Sequence, residues 1–247
     1  MRQLTDSLNL QRLNEDSALA LWDESCCLLF DPWMEGPQVD LASWFSQQSL
    51  KTYEPGLPLA WNGKYHIAIT HQFTDHCHPV TLKKLKSSTL EQVNLYKLRQ
   101  GQEGIQIGSF LINRYGMRLL HSLYEIIHTP TGKRVLLSPH GFRPNAGKCV
   151  PAPGADLWLT TSQEYALPWF LGGTVNLGAD ALIELAAVLQ PKKLTEIHQA
   201  SKLTGGIVAR LAKVTLTEYD RLQNQLAALT KPVELISLPP GKTYCLI

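Results

Sequence analysis

The sequence predicts an α/β domain built of two packed sheets with helices outside. Three observations carry that expectation. Short apolar runs come in an early block and a later block, each block is followed by segments of helical periodicity, and no linker, repeat or low-complexity stretch divides the 247 residues. Residues 1–247 are therefore read as a single domain.

The early block opens with Leu19–Phe30, two apolar runs joined by Asp23-Glu24-Ser25 and read as a hairpin that ends at Asp31-Pro32-Trp33, where proline stops the ladder. Residues 34–63 read as irregular. Tyr65–Thr70 is a β-rich strand, His71–His78 a polar stretch, and Pro79 opens a helix through Lys86. Val93–Tyr96 and Ile105–Asn113 are further strand candidates. The later block pairs Tyr124–His128 with Arg134–Leu137 across Pro130-Thr131-Gly132-Lys133, a strong turn signal, and continues with the strand Asp156–Thr160. In Asn176–Gln190, Leu182, Leu185, Ala186 and Leu189 share one helical face, Asn176 is placed as the cap, and Pro191 ends the helix. Lys193–Ile197 reads as a strand leading to His198, Thr204–Lys213 and Thr217–Leu229 as helices, and Val233–Ile236 with Tyr244–Ile247 as a hairpin over Pro239-Pro240-Gly241.

At 44% hydrophobic and 18% charged, the chain is too apolar for a disordered segment. Its 23 basic and 21 acidic residues leave a net charge of +2, too balanced to mark nucleic acid or an anionic membrane as a main partner. No window reaches the roughly 18–20 apolar residues of a membrane span. Cys26, Cys27, Cys77, Cys149 and Cys245 are an odd set with an adjacent pair in an apolar run, which is poor disulfide design. Free thiols in a reducing compartment follow, and the N-terminus carries no apolar signal stretch, so a cytoplasmic location is expected.

The chemistry concentrates in Thr70-His71-Gln72-Phe73-Thr74-Asp75-His76-Cys77-His78, directly after a strand. Three imidazoles and a carboxylate are ligand types that a borderline metal such as zinc accepts. The alternative is a polar surface loop whose histidines only form hydrogen bonds. Two other features have plain readings. Gly172-Gly173 before the long helix is a tight turn or a site-lining loop, and Lys83-Lys84-Leu85-Lys86 is a solvated helix end.

The segment resembles the His-x-His-x-Asp-His signature of the metallo-β-lactamase superfamily, with His71, Phe73, Asp75 and His76 at its four positions. Asp31-Pro32-Trp33 resembles the acidic turn after the first hairpin in the lactonase-like branch. Lys133–His140 resembles the strand that delivers a metal-bridging aspartate, and Lys193–His198 the strand that delivers the last histidine. The resemblance implies a four-layer αββα sandwich that hydrolyses an ester, lactone or phosphodiester with a metal-activated water. Asp75, His76 and His198 would hold the second metal position and His71 would belong to the first. Phe73 stands where the second histidine would be and removes a ligand, and His140 stands at the bridging position, where an imidazole reaches one metal only. The set Asp75, His76, His140 and His198 then implies one divalent transition metal, zinc first, with manganese or iron as alternatives. Asp75 is the candidate base, and His71 a proton donor or substrate contact. Trp33 and Phe73 are candidate contacts to a small-molecule substrate. His121 and His128 are the only candidates for the first position's third histidine, and each is read more simply as an ordinary strand or turn histidine. A non-catalytic binding or scaffold protein with a vestigial or structural metal site is the other reading.

Overall fold

The computed structural model describes residues 7–50, 61, 63–98, 104–116, 120–144, 150–198 and 202–246. Its two large sheets follow the two blocks. The first runs Thr243–Cys245, Asn9–Arg12, Leu19–Trp22, Cys27–Phe30, Tyr65–Ile69, Thr89–Asn94. The second runs Glu234–Leu235, Lys193–Glu196, Leu157–Thr160, Lys133–Ser138, Leu123–His128, Phe110–Tyr115, Ile105–Ile107. Each sheet has antiparallel pairs toward one edge and parallel pairs toward the other.

Alternation along the strands makes the layers. Leu157 and Leu159 face Leu28, Phe30 and Phe110 in the core between the sheets. Trp158, between them in sequence, faces Leu182, Leu185 and Ala186 of the helix Gly178–Leu189 and Leu222 of the helix Tyr219–Ala227. On the outer face of the first sheet, Leu29, Ile67 and Ile69 pack with Leu85 of the helix Pro79–Leu85. The result is helix, sheet, sheet, helix. Each buried leucine contributes roughly 1.5–3 kcal/mol relative to exposure.

Cys26 lies in the core between the sheets and Cys27 on the opposite face, so the two adjacent thiols point apart. Cys26, Cys27, Cys77 and Cys245 are free, and Cys149 lies outside the described residues. The hairpin turn is built on Asp23, whose Oδ1 accepts from the Ser25 and Cys26 amides, both at 2.7 Å. Among the described residues no helix is long and apolar enough to cross a membrane.

Several elements depart from the sequence reading. The strand expected at Val93–Tyr96 is Thr89–Asn94 followed by a short 3₁₀ turn; its early residues are exposed, which is why they carry no apolar signal. Ile105–Asn113 is two strands with Gly108 in left-handed backbone at φ +54° between them. Part of residues 34–63 is the hairpin Gln38–Asp40 and Ser46–Leu50; residues 51–60 and 62 lie outside the described set. Asn176 is no helix cap, because it sits in the strand Thr174–Leu177. The helix expected over Thr204–Lys213 is a strand Lys202–Gly205, a short helix Gly206–Leu211 and a strand Lys213–Thr215. The C-terminal strands do not pair with each other: Glu234–Leu235 joins the second sheet and Thr243–Cys245 the first. The prolines between them cannot donate to a ladder, and the segment crosses from one sheet to the other.

Two three-stranded sheets complete the chain. Lys202–Gly205 pairs with the hairpin Gln38–Asp40/Ser46–Leu50, and Lys213–Thr215 pairs with Glu164–Ala166 beside Thr174–Leu177. Together they cap the C-terminal ends of the parallel strands.

Candidate metal centre

Asp31, His71, His140 and His198 each follow a strand that runs parallel to a neighbour in its sheet, and crevices outside such strand ends are where α/β folds place their ligands. Asp31 and His198 hold left-handed backbone, φ +46° and +59°, which is rare for residues with a Cβ. Both turn their side chains into one buried cluster.

Four imidazoles meet there. His71 and His76 have ring centroids 4.6 Å apart, His71 and His140 4.6 Å, His76 and His140 5.0 Å, and His140 and His198 4.7 Å. Oxygen acceptors fix every ring. His76 donates Nδ1–H to Asp31 at 2.7 Å, and His140 donates Nδ1–H to Asn176 Oδ1 at 2.7 Å. His198 donates Nδ1–H to Asp16. The Thr70 hydroxyl gives its one proton to Asp31 and so accepts from His71 Nδ1 at 2.8 Å. With Nδ1 carrying hydrogen, Nε2 is the ligating atom in each ring, the arrangement by which outer-shell partners orient metal-binding histidines.

The donor set fits a cation. The His76 and His140 Nε2 atoms lie 3.0 Å apart, a contact that two lone pairs make only around a proton or a metal ion. Burial alone would push His76 down, but Asp75 and Asp31 outweigh it and raise it to about 9. Burial, followed by the neighbouring His71, His198 and His76, drives His140 well below the ordinary histidine value. Two overlapping groups of ligating atoms lie within 4.8 Å: His71, His76 and His140, and Asp75, His76 and His198. Asp75 Oδ2 is 3.8 Å from His76 Nε2.

Beside the cluster opens a cavity of about 320 Å³. Asp75, His140, His198 and Lys202 line its polar end, and Phe73, Leu167, Leu171, Val175, Val208 and Val214 its apolar walls. Gly172 lines it too, so the glycine turn is a site-lining loop. Lys202 Nζ is 2.8 Å from Asp16 Oδ1 and 3.9 Å from Asp75 Oδ2. Burial works to raise the Asp16 carboxyl, but the charges of His198 and Lys202 and their hydrogen bonds hold it well below the usual carboxylate range.

The structure brings Asp75, His76, His140 and His198 together, with His71 against His76 and His140. Other expectations need correction. His71 and Trp33 are buried and do not line the cavity, so neither is placed to touch a substrate. Trp33 instead lies under the Lys202 ammonium, 5.6 Å from its ring centroid. His78 caps the helix Pro79–Leu85 through Thr81. His121 meets the Val175 carbonyl at 3.0 Å, and His128 meets Asp23 at 3.0 Å at the far end of the sheets. Sequence reading missed Asp16 and Lys202. A lysine on a short polar strand looks like surface, and its position four residues after His198 was the only available signal.

No family model matches the sequence, and no curated protein matches it. Solved structures do resemble it. Igni18, a metallo hydrolase from the hyperthermophilic archaeon Ignicoccus hospitalis, is 13% identical over 97% of this chain and 98% of its own, with a TM-score of 0.55. An isothiocyanate hydrolase from Delia radicum gut bacteria is 12% identical over 96% and 98%, TM-score 0.54. The metallo-β-lactamase fold protein YhfI from Bacillus subtilis is 10% identical over 98% and 100%, TM-score 0.58. The strand order, the four layers and these likenesses together give the chain the metallo-β-lactamase fold.

Proposed function

We propose that the protein is a metal-dependent hydrolase of a small molecule, acting on an ester, lactone or phosphodiester bond with one divalent ion per chain. The observation that carries this reading is the set of buried imidazoles, each turned by an oxygen on its Nδ1, converging at the polar end of a cavity. Asp75, His76, His140 and His198 would hold the ion. Imidazole and carboxylate donors favour zinc, and manganese or iron would also be accepted. Such an ion supplies Lewis acidity and lowers the pKa of a bound water.

The chain's own residues do the rest. Asp75 lines the cavity and accepts the proton of the attacking water. Lys202 sets a positive charge 3.9 Å from Asp75, where it opposes negative charge growing on a substrate oxygen. Phe73 and the apolar walls keep bulk water from the polar end. The metallo hydrolases that share the fold support the same reading.

The test is turnover on a panel of esters, lactones and phosphodiesters. Asp75→Asn should lower the rate by about 10²–10⁴-fold at matched metal content, while the metal-free proteins melt at nearly the same temperature. Metal binding with no metal-dependent turnover on any substrate would make the protein a binding or scaffold protein instead.

A further inference from the structure

One face of each small sheet lines the cavity, and the two faces differ in chemistry. In the first sheet Thr204 stands directly across from Gln48, and Asp40 across from Ser46. Alternation puts Asp40, Ser46, Gln48, Lys202 and Thr204 on one face, and all five line the cavity. In the second sheet Tyr165 stands across from both Asn176 and Val214. Asn176 is bonded to His140, and Leu167, Leu171 and Val175 add hydrocarbon around Tyr165 and Val214. The charges of the polar face are already paired. Lys202 lies 2.8 Å from Asp16, and Asp40 accepts from the Thr74 hydroxyl at 2.9 Å and from the Gln38 side-chain amide. Its neutral groups are open: among the described residues no hydrogen bond engages the side chains of Ser46, Gln48 or Thr204.

We propose that the substrate is an uncharged ester of a short-chain fatty acid with an alcohol that keeps free hydroxyl groups. Its hydroxyls would meet Ser46, Gln48 and Thr204, and its chain would lie on Leu167, Leu171, Val175 and Val214. This inference rests on the hydrolase reading and narrows it. Serine, threonine and glutamine side chains each donate and accept, and the neutral group that does both at one atom is a hydroxyl. Three such side chains on one face match more than one hydroxyl. A phosphodiester is the poorer occupant, because Asp40 and Asp75 both line the cavity and Lys202 is already held by Asp16. At about 320 Å³ the cavity lies at the small end of the roughly 300–1,000 Å³ usual for ligand sites, hence the short chain. In hydrolysis the water oxygen bonds to the acyl carbon as Asp75 takes its proton. The bond from that carbon to the alcohol oxygen breaks, and the oxygen leaves with the bonding pair and receives that proton. The products are the fatty acid and the free polyol.

The test has a binding arm and a turnover arm. In calorimetry on the metal-free full chain, the hexyl ether of glycerol, which cannot be hydrolysed, should bind about tenfold more tightly than hexyl methyl ether, which lacks the hydroxyls. Gln48→Leu with Thr204→Val should erase that preference and leave hexyl methyl ether bound as before. Ser46→Ala alone should reduce it about threefold, and Val214→Ser should weaken both ethers alike. Equal binding of the two ethers, binding of neither, or a preference that the double variant retains overturns the proposal. In the zinc-loaded protein, kcat/KM for hexanoylglycerol should exceed that for methyl hexanoate by about tenfold. Faster turnover of methyl hexanoate or of bis(p-nitrophenyl) phosphate overturns the proposal and leaves the hydrolase reading standing. A preference for the glycerol ether with no turnover of either ester overturns the hydrolase reading, and the ester with it.

Discussion

His76 belongs to both groups of ligating atoms, yet it has a single nitrogen to give, because Asp31 takes the hydrogen on the other. Asp31 is itself fixed by the Thr70 amide at 2.7 Å and by the Thr70 hydroxyl, and it is fully buried. A carboxylate held that rigidly sets the ring of His76 and raises its basicity as a ligand. Asp31→Asn should therefore weaken metal binding by about 10–100-fold while leaving every ligating atom in place. Competition with a chelator of known affinity measures it; an unchanged dissociation constant would show that Asp31 serves the fold alone. Sequence marked Asp31 through its proline turn and marked the histidines through their spacing. It could not mark Asp16 or the role of Asn176, because partners for a ring nitrogen come from distant strands in no fixed spacing.

At the scale of elements, legibility followed burial. Strands buried on both faces, such as Cys27–Phe30 and Leu157–Thr160, announced themselves as apolar runs. The cap did not: Lys202–Gly205 and Lys213–Thr215 are short and partly or fully exposed, and their scattered apolar residues mimic one helix. The joint between strand and helix there is Gly206, at φ +85°, where a Cβ would lie 2.5 Å from the Phe45 carbonyl oxygen. Gly206→Ala should cost about 1–3 kcal/mol of stability in denaturant unfolding, since backbone on either side must shift. A loss within a few tenths would mean the cap is already loose. The opposite end of the sheets has its own clasp, Asp23 in the hairpin turn bonded to His128 of the second sheet. Burial acts to raise Asp23, but the hydrogen bonds it accepts prevail and lower it to about 2. A depressed carboxyl stabilises the fold above its unfolded value of about 3.9 and loses that contribution as pH falls through about 2. Asp23→Ala should thus be destabilised against wild type at pH 6, with the gap closing between about pH 4 and pH 2 in thermal melts. A gap constant across that range would remove Asp23 from the account.

Over the whole molecule, the proposed ligands come from both blocks: Asp75 and His76 after a strand of the first sheet, His140 and His198 after strands of the second. An ion held by both joins the two sheets at one edge, so its binding energy becomes folding energy. A ligand at 100 times its dissociation constant adds about 2.7 kcal/mol, which for a chain of this length raises the melting temperature by about 5–10 °C. That shift should appear on adding zinc, vanish on chelation and be absent in His76→Ala. The stoichiometry should stop at one ion, because the two ligand groups share His76. Phe73→His provides the decisive variant: it restores an imidazole to the loop, but His121 is engaged by the Val175 carbonyl and His128 stands at the far end of the sheets. Neither His121 nor His128 belongs to the two groups of ligating atoms, so elemental analysis of this variant should still count one ion per chain. Two ions in wild type would mean that His76 is not shared in the way its single nitrogen requires; two in Phe73→His alone would mean that one residue closed the second position.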